Sequence, residues 1–282
     1  MSQEPVNLGP LQRVQLTRSL TLWQRARGHR SATDDVLCAW VGLQAARGIL
    51  ATRAAGDALR EPLRLLDLGA GQGSVTLMLA GALPAAHVVA VEAQPVSLEL
   101  LRRNVAHNGL GDRVRPVLGD LRHVDLSGLA GWGEGEGGAD FGFDLVTGSP
   151  PFMPPGAGTL PADPQRAAAR FELRGGVEGY AQAAARWLRP GGQAVLLMDG
   201  AQDARSRRAI EAAGLALRQR VVVTPSPGKR PRYRIYVAHR PVSSASLSVS
   251  PVDDLALTIR DEGGAWTPAF AAARRALDLP GL

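Results

Sequence analysis

Leu63-Arg64-Leu65-Leu66-Asp67-Leu68-Gly69-Ala70-Gly71-Gln72-Gly73 decides the fold. A short apolar run of this kind, bounded by glycines, reads as a buried strand. It ends at an acidic residue and opens into a glycine-rich turn, and the apolar run at 75–80 begins a helix. Strand, glycine turn and helix form the first unit of a parallel α/β sheet. Gly69 and Gly71 permit backbone angles closed to other residues and let a ligand approach the main chain. The G-x-G-x-G spacing departs from the dinucleotide fingerprint, whose third glycine comes one position later. Asp67 would repel a pyrophosphate but can engage an ammonium group.

Outward from this unit, strands and helices alternate. Strands are expected at 87–92, 114–118, 143–147 and 193–198, and a final pair at 215–223 and 233–237. A helix is expected at 95–107, with Pro95 in its first turn and Asn108-Gly109 as its stop. Another is centred on 181–188 and leads into an Arg189-Pro190-Gly191-Gly192 turn. Upstream, 14–27 reads as a hairpin or edge strand. A helix at 31–47 follows, capped by Ser31 or Thr33. Residues 131–142 read as a glycine-rich loop and 154–164 as a loop over the site. Residues 241–251 read as a linker, followed by a strand at 255–259 and a helix at 266–277. Strands apolar on both faces imply a parallel sheet covered by helices, which binds ligands at the carboxyl ends of its strands.

Candidate site residues gather at those ends. Glu92 closes the second strand, where a carboxylate can accept both hydroxyls of a ribose. Asp120 follows the third and can accept a hydrogen bond from an adenine amino group. With Asp67, they fit a cofactor that carries an ammonium, a ribose and an adenine. The competing reading is glycines serving a tight turn, with the carboxylates capping helices. At the end of the fourth strand stand Ser149-Pro150-Pro151-Phe152. Consecutive prolines stop the strand and stiffen the chain. The Ser149 hydroxyl and a proline carbonyl can accept the hydrogens of an exocyclic amine, with the Phe152 ring stacked on its plane. Turn and tetrad together point to methyl transfer from S-adenosylmethionine to a nitrogen.

Bulk properties narrow the class. A chain of 282 residues, 45% of them hydrophobic, buries one large core or one core plus a small appendage. No apolar run approaches the ~20 residues that span a bilayer. Residues 1–5 lack a basic region followed by an apolar stretch, so the expectation is a cytoplasmic protein. The single cysteine, Cys38, excludes an internal disulfide framework, and the five histidines are scattered without ligand spacing, so no metal is expected. Net charge is +6, and Lys229 is the one lysine among 32 basic residues. A basic balance favours a polyanionic partner. A genome rich in G and C would enrich arginine equally well. Arg166 and Arg170 lie at helical spacing and either contact phosphates or line a solvated face with Glu172 as ion partner. Lys229, Arg230, Arg232 and Arg234 crowd a hairpin turn suited to phosphate.

The chain resembles the class I S-adenosylmethionine-dependent methyltransferases. More narrowly, it resembles the adenine-N6 methyltransferases that modify the adenosine beside the anticodon of a valine tRNA. The likeness rests on the glycine turn and the tetrad. It also rests on Gly28-His29-Arg30-Ser31-Ala32-Thr33-Asp34 and Arg103-Asn104-Val105-Ala106-His107-Asn108-Gly109-Leu110. Pro164-Gln165-Arg166 and Leu257-Thr258-Ile259-Arg260 extend it toward the C-terminus. The family normally has Asn where this chain has Ser149.

The resemblance implies a Rossmann-like α/β fold: a seven-stranded, mostly parallel sheet with an antiparallel last strand and helices on both faces. It implies a segment at 1–60 covering the cofactor, a methyltransferase core at 61–240 and an extension at 241–282. Thr33, Asp34, Asp67, Gly69, Ala70, Gly71, Gly73, Glu92, Ala93, Asp120, Leu121 and Ser149 would then hold S-adenosylmethionine. Ser149, Pro150, Pro151 and Phe152 would be catalytic. Arg166, Arg170, Lys229, Arg230 and Arg232 would contact RNA. The expected substrate is adenine N6 in tRNA, acted on by a monomer. The alternatives are guanine N2 in ribosomal RNA, a glutamine amide in a protein, a small-molecule amine, or a cofactor-binding subunit without activity.

Overall fold

The computed structural model describes residues 6–55, 62–129, 142–242 and 252–281. The chain opens with an antiparallel hairpin, β1 (Leu11–Gln15) and β2 (Thr21–Arg25), then a long helix α1 (Thr33–Ala55). Next come β3 (Arg64–Leu68), α2 (Ser74–Ala82), β4 (His87–Glu92), α3 (Pro95–His107), β5 (Val114–Leu118) and β6 (Phe143–Gly148). Two helices follow, α4 (Pro164–Arg170) and α5 (Val177–Trp187), then β7 (Leu188–Asp199) and α6 (Asp203–Ala212). The chain closes with β8 (Ala216–Thr224), β9 (Tyr233–His239), β10 (Asp253–Thr258) and α7 (Pro268–Ala276).

The sheet has eight strands in the order β10-β8-β9-β7-β6-β3-β4-β5. β9 runs antiparallel to β7 and β8, and the remaining pairs are parallel. The expected seven strands thus gain an eighth, β10, which pairs with β8 through Asp253–Thr258 against Gln219–Thr224. β10 is exposed along most of its length and carries acidic residues at its start, a common protection for a sheet edge. Its Asp254 pairs with Arg220 of β8.

Alternation along the strands sorts the core. Leu65, Val88, Ala90 and Leu145 face one side with Leu37 of α1, Leu77 of α2 and Leu98 of α3. Leu66, Val89, Val91 and Val146 face the other with Ala181 of α5 and Ile210 of α6. A parallel sheet buried on both faces requires this two-sided apolar pattern. Asp144 is buried at the start of β6. It pairs with Arg53 of α1 and Arg189 of β7 and accepts the Arg64 N–H at 2.8 Å. One carboxylate therefore clips four elements at the end of the sheet away from the glycine turn.

Two local expectations change. The helix expected at 31–47 runs on to Ala55, because its apolar side lies over β6, β7 and β9 and continues to pack. The turn expected at 189–192 is instead the irregular start of β7. Gly191 has φ +79°, and a side chain on Gly192 would sit 2.9 Å from the Phe143 carbonyl, so the glycines serve a close strand approach. The glycine-rich loop at 131–142, except Gly142, and the linker at 241–251, except 241–242, lie outside the described residues.

The N-terminal hairpin is held by two asparagines one turn apart on α3. Asn104 accepts the Trp23 N–H at 2.7 Å and donates to the Trp23 carbonyl at 2.9 Å. Asn108 accepts the Thr21 N–H at 3.0 Å and donates to the Thr21 carbonyl at 2.8 Å. The two amides act as an additional strand along the free edge of β2. Asn104 also donates to the Gln72 carbonyl at 2.9 Å, coupling hairpin to glycine turn. Asn104 is fully buried. Asn104→Ala should cost about 2–4 kcal/mol in urea unfolding, since it strands several buried backbone groups. Asn108→Ala should cost clearly less. Equal small losses would show that the hairpin is anchored elsewhere.

Candidate active site

The carboxyl ends of β3, β4 and β6 frame a cleft beside the start of α1. Its glycine turn, 69–73, leaves β3 and enters α2. Gly69, Gly71 and Gly73 all adopt positive φ, which side chains disfavour. A Cβ on Gly69 would meet the Tyr180 hydroxyl at 2.2 Å, and one on Gly148 would meet the Tyr180 ring at 2.7 Å. Tyr180 of α5 therefore fills the floor between turn and tetrad. Beside Gly71 a Cβ would meet nothing within 4 Å, so the turn faces open space there.

Asp67 is buried at the end of β3. Its two oxygens accept the Thr76 hydroxyl at 2.6 Å and the Thr147 hydroxyl at 2.8 Å. Burial outweighs these bonds and pushes its carboxyl up to about 6. Glu92 is also buried, and burial raises its pKa, against the pull of the Gln94 and Gly71 N–H groups. Those N–H groups reach it at 2.7 and 2.8 Å, so Glu92 shapes the glycine turn as well as lining the cleft. Asp120 lines the cleft while accepting both a side-chain fork and the backbone N–H of Arg122, which hold its pKa down. Its remaining lone pairs are what it can offer a ligand.

Of the other expected cofactor residues, Asp34, Ala70, Ala93, Leu121 and Ser149 line the cleft, whereas Thr33 and Gly73 do not. Thr33 starts α1, and Gly73 lies against Leu101. Pro150, Pro151 and Phe152 line it from the β6 side. The Ser149 Oγ is buried without a hydrogen-bond partner of ordinary geometry, with the weakly interacting Cys38 thiol beside it. Phe152 is half-buried, its ring tilted against Tyr233 with centroids 6.0 Å apart, and its carbonyl accepts Gln202 Nε2 at 2.5 Å.

Several cleft residues escaped the sequence reading. Asp35 reaches the Ala32 N–H at 3.2 Å and interacts with Ser31 and Ser74. Burial and the adjacent Asp34 carboxylate raise its pKa. Gln165 is buried and donates to Ser97 at 3.1 Å, and His29 lies beside it. A second acidic residue after a helix cap was the one signal available for Asp35. His29 and Gln165 stood inside motifs of the family resemblance without a role of their own, and Tyr180 carried no signal. Lys229, Arg230 and Arg232 are exposed and lie outside the cleft lining. Arg232 sits over the Tyr233 ring at 5.5 Å. Glu172 pairs with Arg205 rather than with Arg166 or Arg170.

With this geometry in view, relatives identify the scaffold. Over 244 residues the chain is 31% identical to the tRNA1(Val) (adenine(37)-N6)-methyltransferase of Porphyromonas gingivalis, which spans 86% of this chain and 85% of that one. The chain belongs to this family of class I S-adenosylmethionine-dependent methyltransferases. The resemblance drawn from the sequence is borne out. The TRM5/TYW2 methyltransferase domain profile matches residues 53–131. A release factor glutamine methyltransferase of Mycolicibacterium smegmatis is 36% identical over 156 residues, but over only 52% of this chain and 49% of its own. A predicted O-methyltransferase from Agrobacterium tumefaciens shares the fold, with TM-score 0.52 and 18% identity over 77% of this chain and 90% of that one.

The residues present fit S-adenosylmethionine. The molecule carries an ammonium and a sulfonium, and the cleft supplies Asp34, Asp35, Asp67 and Glu92. The molecule is rich in N–H and O–H donors, and Gln72 presents a buried Oε1 with no donor of its own. Among the described residues, no cluster of His, Cys, Asp and Glu could hold a metal ion. No described helix is long and apolar enough to cross a membrane.

Asp67 holds its proton up to about pH 6, and a cation prefers the ionised form. S-adenosylmethionine affinity should therefore rise roughly tenfold from about pH 5 to about pH 7. Isothermal titration calorimetry checks this, and Asp67→Asn should reduce the rise to the part that Asp35 and Glu92 contribute, while lowering affinity. A profile already flat in the unaltered protein would remove Asp67 from the cofactor site.

Proposed function

We propose that this chain methylates the exocyclic N6 amine of an adenine beside the anticodon of a tRNA, as a cytoplasmic monomer. One observation carries the reading. The Ser149 Oγ, buried with only the weak Cys38 thiol beside it, sits at the end of β6 with Phe152 close by, in the same cleft as the glycine turn. A buried hydroxyl without a partner costs about 1–3 kcal/mol, which a ligand N–H would recover. The adenine-N6 family matches along most of both chains, whereas the glutamine methyltransferases match about half to nearly two thirds.

An aromatic amine is a weak nucleophile because its lone pair is delocalised into the ring. Ser149 Oγ and the Pro150 carbonyl accept its two hydrogens, which favours a pyramidal nitrogen with an exposed lone pair. Bound S-adenosylmethionine supplies a methyl group already activated on a sulfonium. The protein's task is alignment and exclusion of water rather than strong base catalysis. Phe152, pinned by Gln202 and Tyr233, stacks on the base once it has left its own stack. Arg166 and Arg170 on one side, and Lys229, Arg230 and Arg232 on the other, contact the RNA.

The test is methyl transfer from labelled S-adenosylmethionine to unmodified tRNA, followed by digestion and mass spectrometry of the nucleosides. N6-methyladenosine is the expected product. Phe152→Ala should lower kcat/KM roughly 10–100-fold, the worth of one base–aromatic stack, while cofactor affinity stays within about twofold. Methylated guanosine, or a methylated protein glutamine with RNA untouched, would replace the adenine reading.

A further inference from the structure

Several partly buried arginines are clips. Arg25 holds Asp163, Arg53 and Arg189 hold Asp144, Arg205 holds Glu172 and Glu178, and Arg220 holds Asp203 and Asp254. Four others behave differently. Arg27 and Arg30 belong to the connector between β2 and α1, and Arg166 and Arg170 stand one turn apart on α4. All four are exposed, and among the described residues none forms an ion pair with a carboxylate. They line one surface depression together with His29 and the backbone at Ala26 and Gly28. Asp163, at the head of α4, is already committed: it pairs with Arg25 at 2.8 Å and caps the Arg166 N–H at 2.9 Å.

The local chain is built for this convergence. A Cβ on Gly28 would lie 2.2 Å from Gln165 Oε1 and 2.8 Å from the Arg25 Cβ. Only a glycine lets the connector press this closely onto α4, which brings one arginine pair opposite the other. Arg30 donates through one nitrogen to the Ala26 carbonyl at 2.8 Å, which steadies it while its other nitrogens stay available. Four guanidinium groups around one depression repel each other, with the Asp163 carboxylate near Arg166 a partial offset, and a polyanion removes that repulsion. Guanidinium groups fit phosphate oxygens in a bidentate way.

His29 lines both this depression and the catalytic cleft, so it stands where the two meet. Burial and the nearby Arg166 and Arg170 charges lower the pKa of its imidazole, against the pull of Asp34. An aromatic ring at a threshold is suited to stacking on a base.

We propose that Arg27, Arg30, Arg166 and Arg170 form a groove that grips backbone phosphates of the RNA next to the methylated nucleotide, with His29 at the passage into the cleft. The assignment rests on RNA being the substrate and extends it to Arg27 and Arg30.

The experiment measures binding of unmodified tRNA by fluorescence anisotropy across a salt series. It uses the full chain, Arg30→Gln, Arg170→Gln, their double variant, and Arg115→Gln on the edge strand β5 as a control. Each groove variant should weaken tRNA binding roughly 3–10-fold and reduce the slope of log K against log salt by about 0.7–0.9. The loss should appear in KM for tRNA, with S-adenosylmethionine affinity unmoved, and Arg115→Gln should match the unaltered chain. Groove variants that keep the full slope, while the unaltered chain binds tRNA, would overturn the groove and leave the RNA reading standing. Loss of cofactor affinity in the same variants would also overturn it, by showing damage to the cleft. An unaltered chain that neither binds nor methylates tRNA would remove the RNA reading and the groove with it.

Discussion

A buried carboxylate at the end of β3 is the constraint on which the site depends. Asp67 takes one threonine hydroxyl from α2 and another from β6, so it joins the elements on both sides of the point where strand order reverses. Ligands of open α/β sheets bind in this crevice. Glu92 repeats the arrangement one strand away, accepting N–H groups from the glycine turn and from Gln94 at the head of α3. Both side chains shape the crevice and charge it. Burial makes the anionic forms unfavourable, and a cation next to them offsets that cost.

The covering hairpin follows from the same economy of polar groups. β2 would expose a row of unpaired backbone groups toward α3. Asn104 and Asn108 satisfy them at Thr21 and Trp23, two residues apart on a strand and four apart on a helix. A strand repeat of about 6.6 Å and a helical turn of about 5.4 Å are close enough for amide side chains to bridge. The hairpin then presents Gln24 to the glycine turn, where it accepts from Gln72 at 3.4 Å, and leads into the connector that carries His29.

The tetrad itself is mostly apolar, with Ser149 its buried polar exception. The tetrad is steadied from elements distant in sequence: Gln202 beyond β7, Tyr233 at the start of β9, and Tyr180 under Gly148. Acidic residues that fit a cationic cofactor thus share one crevice with the apolar tetrad.

Local patterning made much of this legible. The strand at 87–92, the helix at 95–107 and the strand at 114–118 match the expected bounds, because apolar periodicity, Pro95 and Asn108-Gly109 are local signals. The glycine turn and the acidic strand ends were equally visible, and they located the crevice. Partnership was not legible. The sequence offered Asp120 as a free acceptor and Glu172 as a partner for α4, whereas folding gives Asp120 to Arg122 and Glu172 to Arg205. Nor could it show that Gly191 and Gly192 start a strand, that β10 joins the sheet, or that His29, Asp35, Gln165 and Tyr180 enter the cleft. The sequence by itself determined the order of elements and the residues at the strand ends, since these depend on neighbours a few positions away. Only the tertiary structure decided which of many arginines clip carboxylates and which stay free, because that choice is made by contacts between residues as far apart as Arg25 and Asp163.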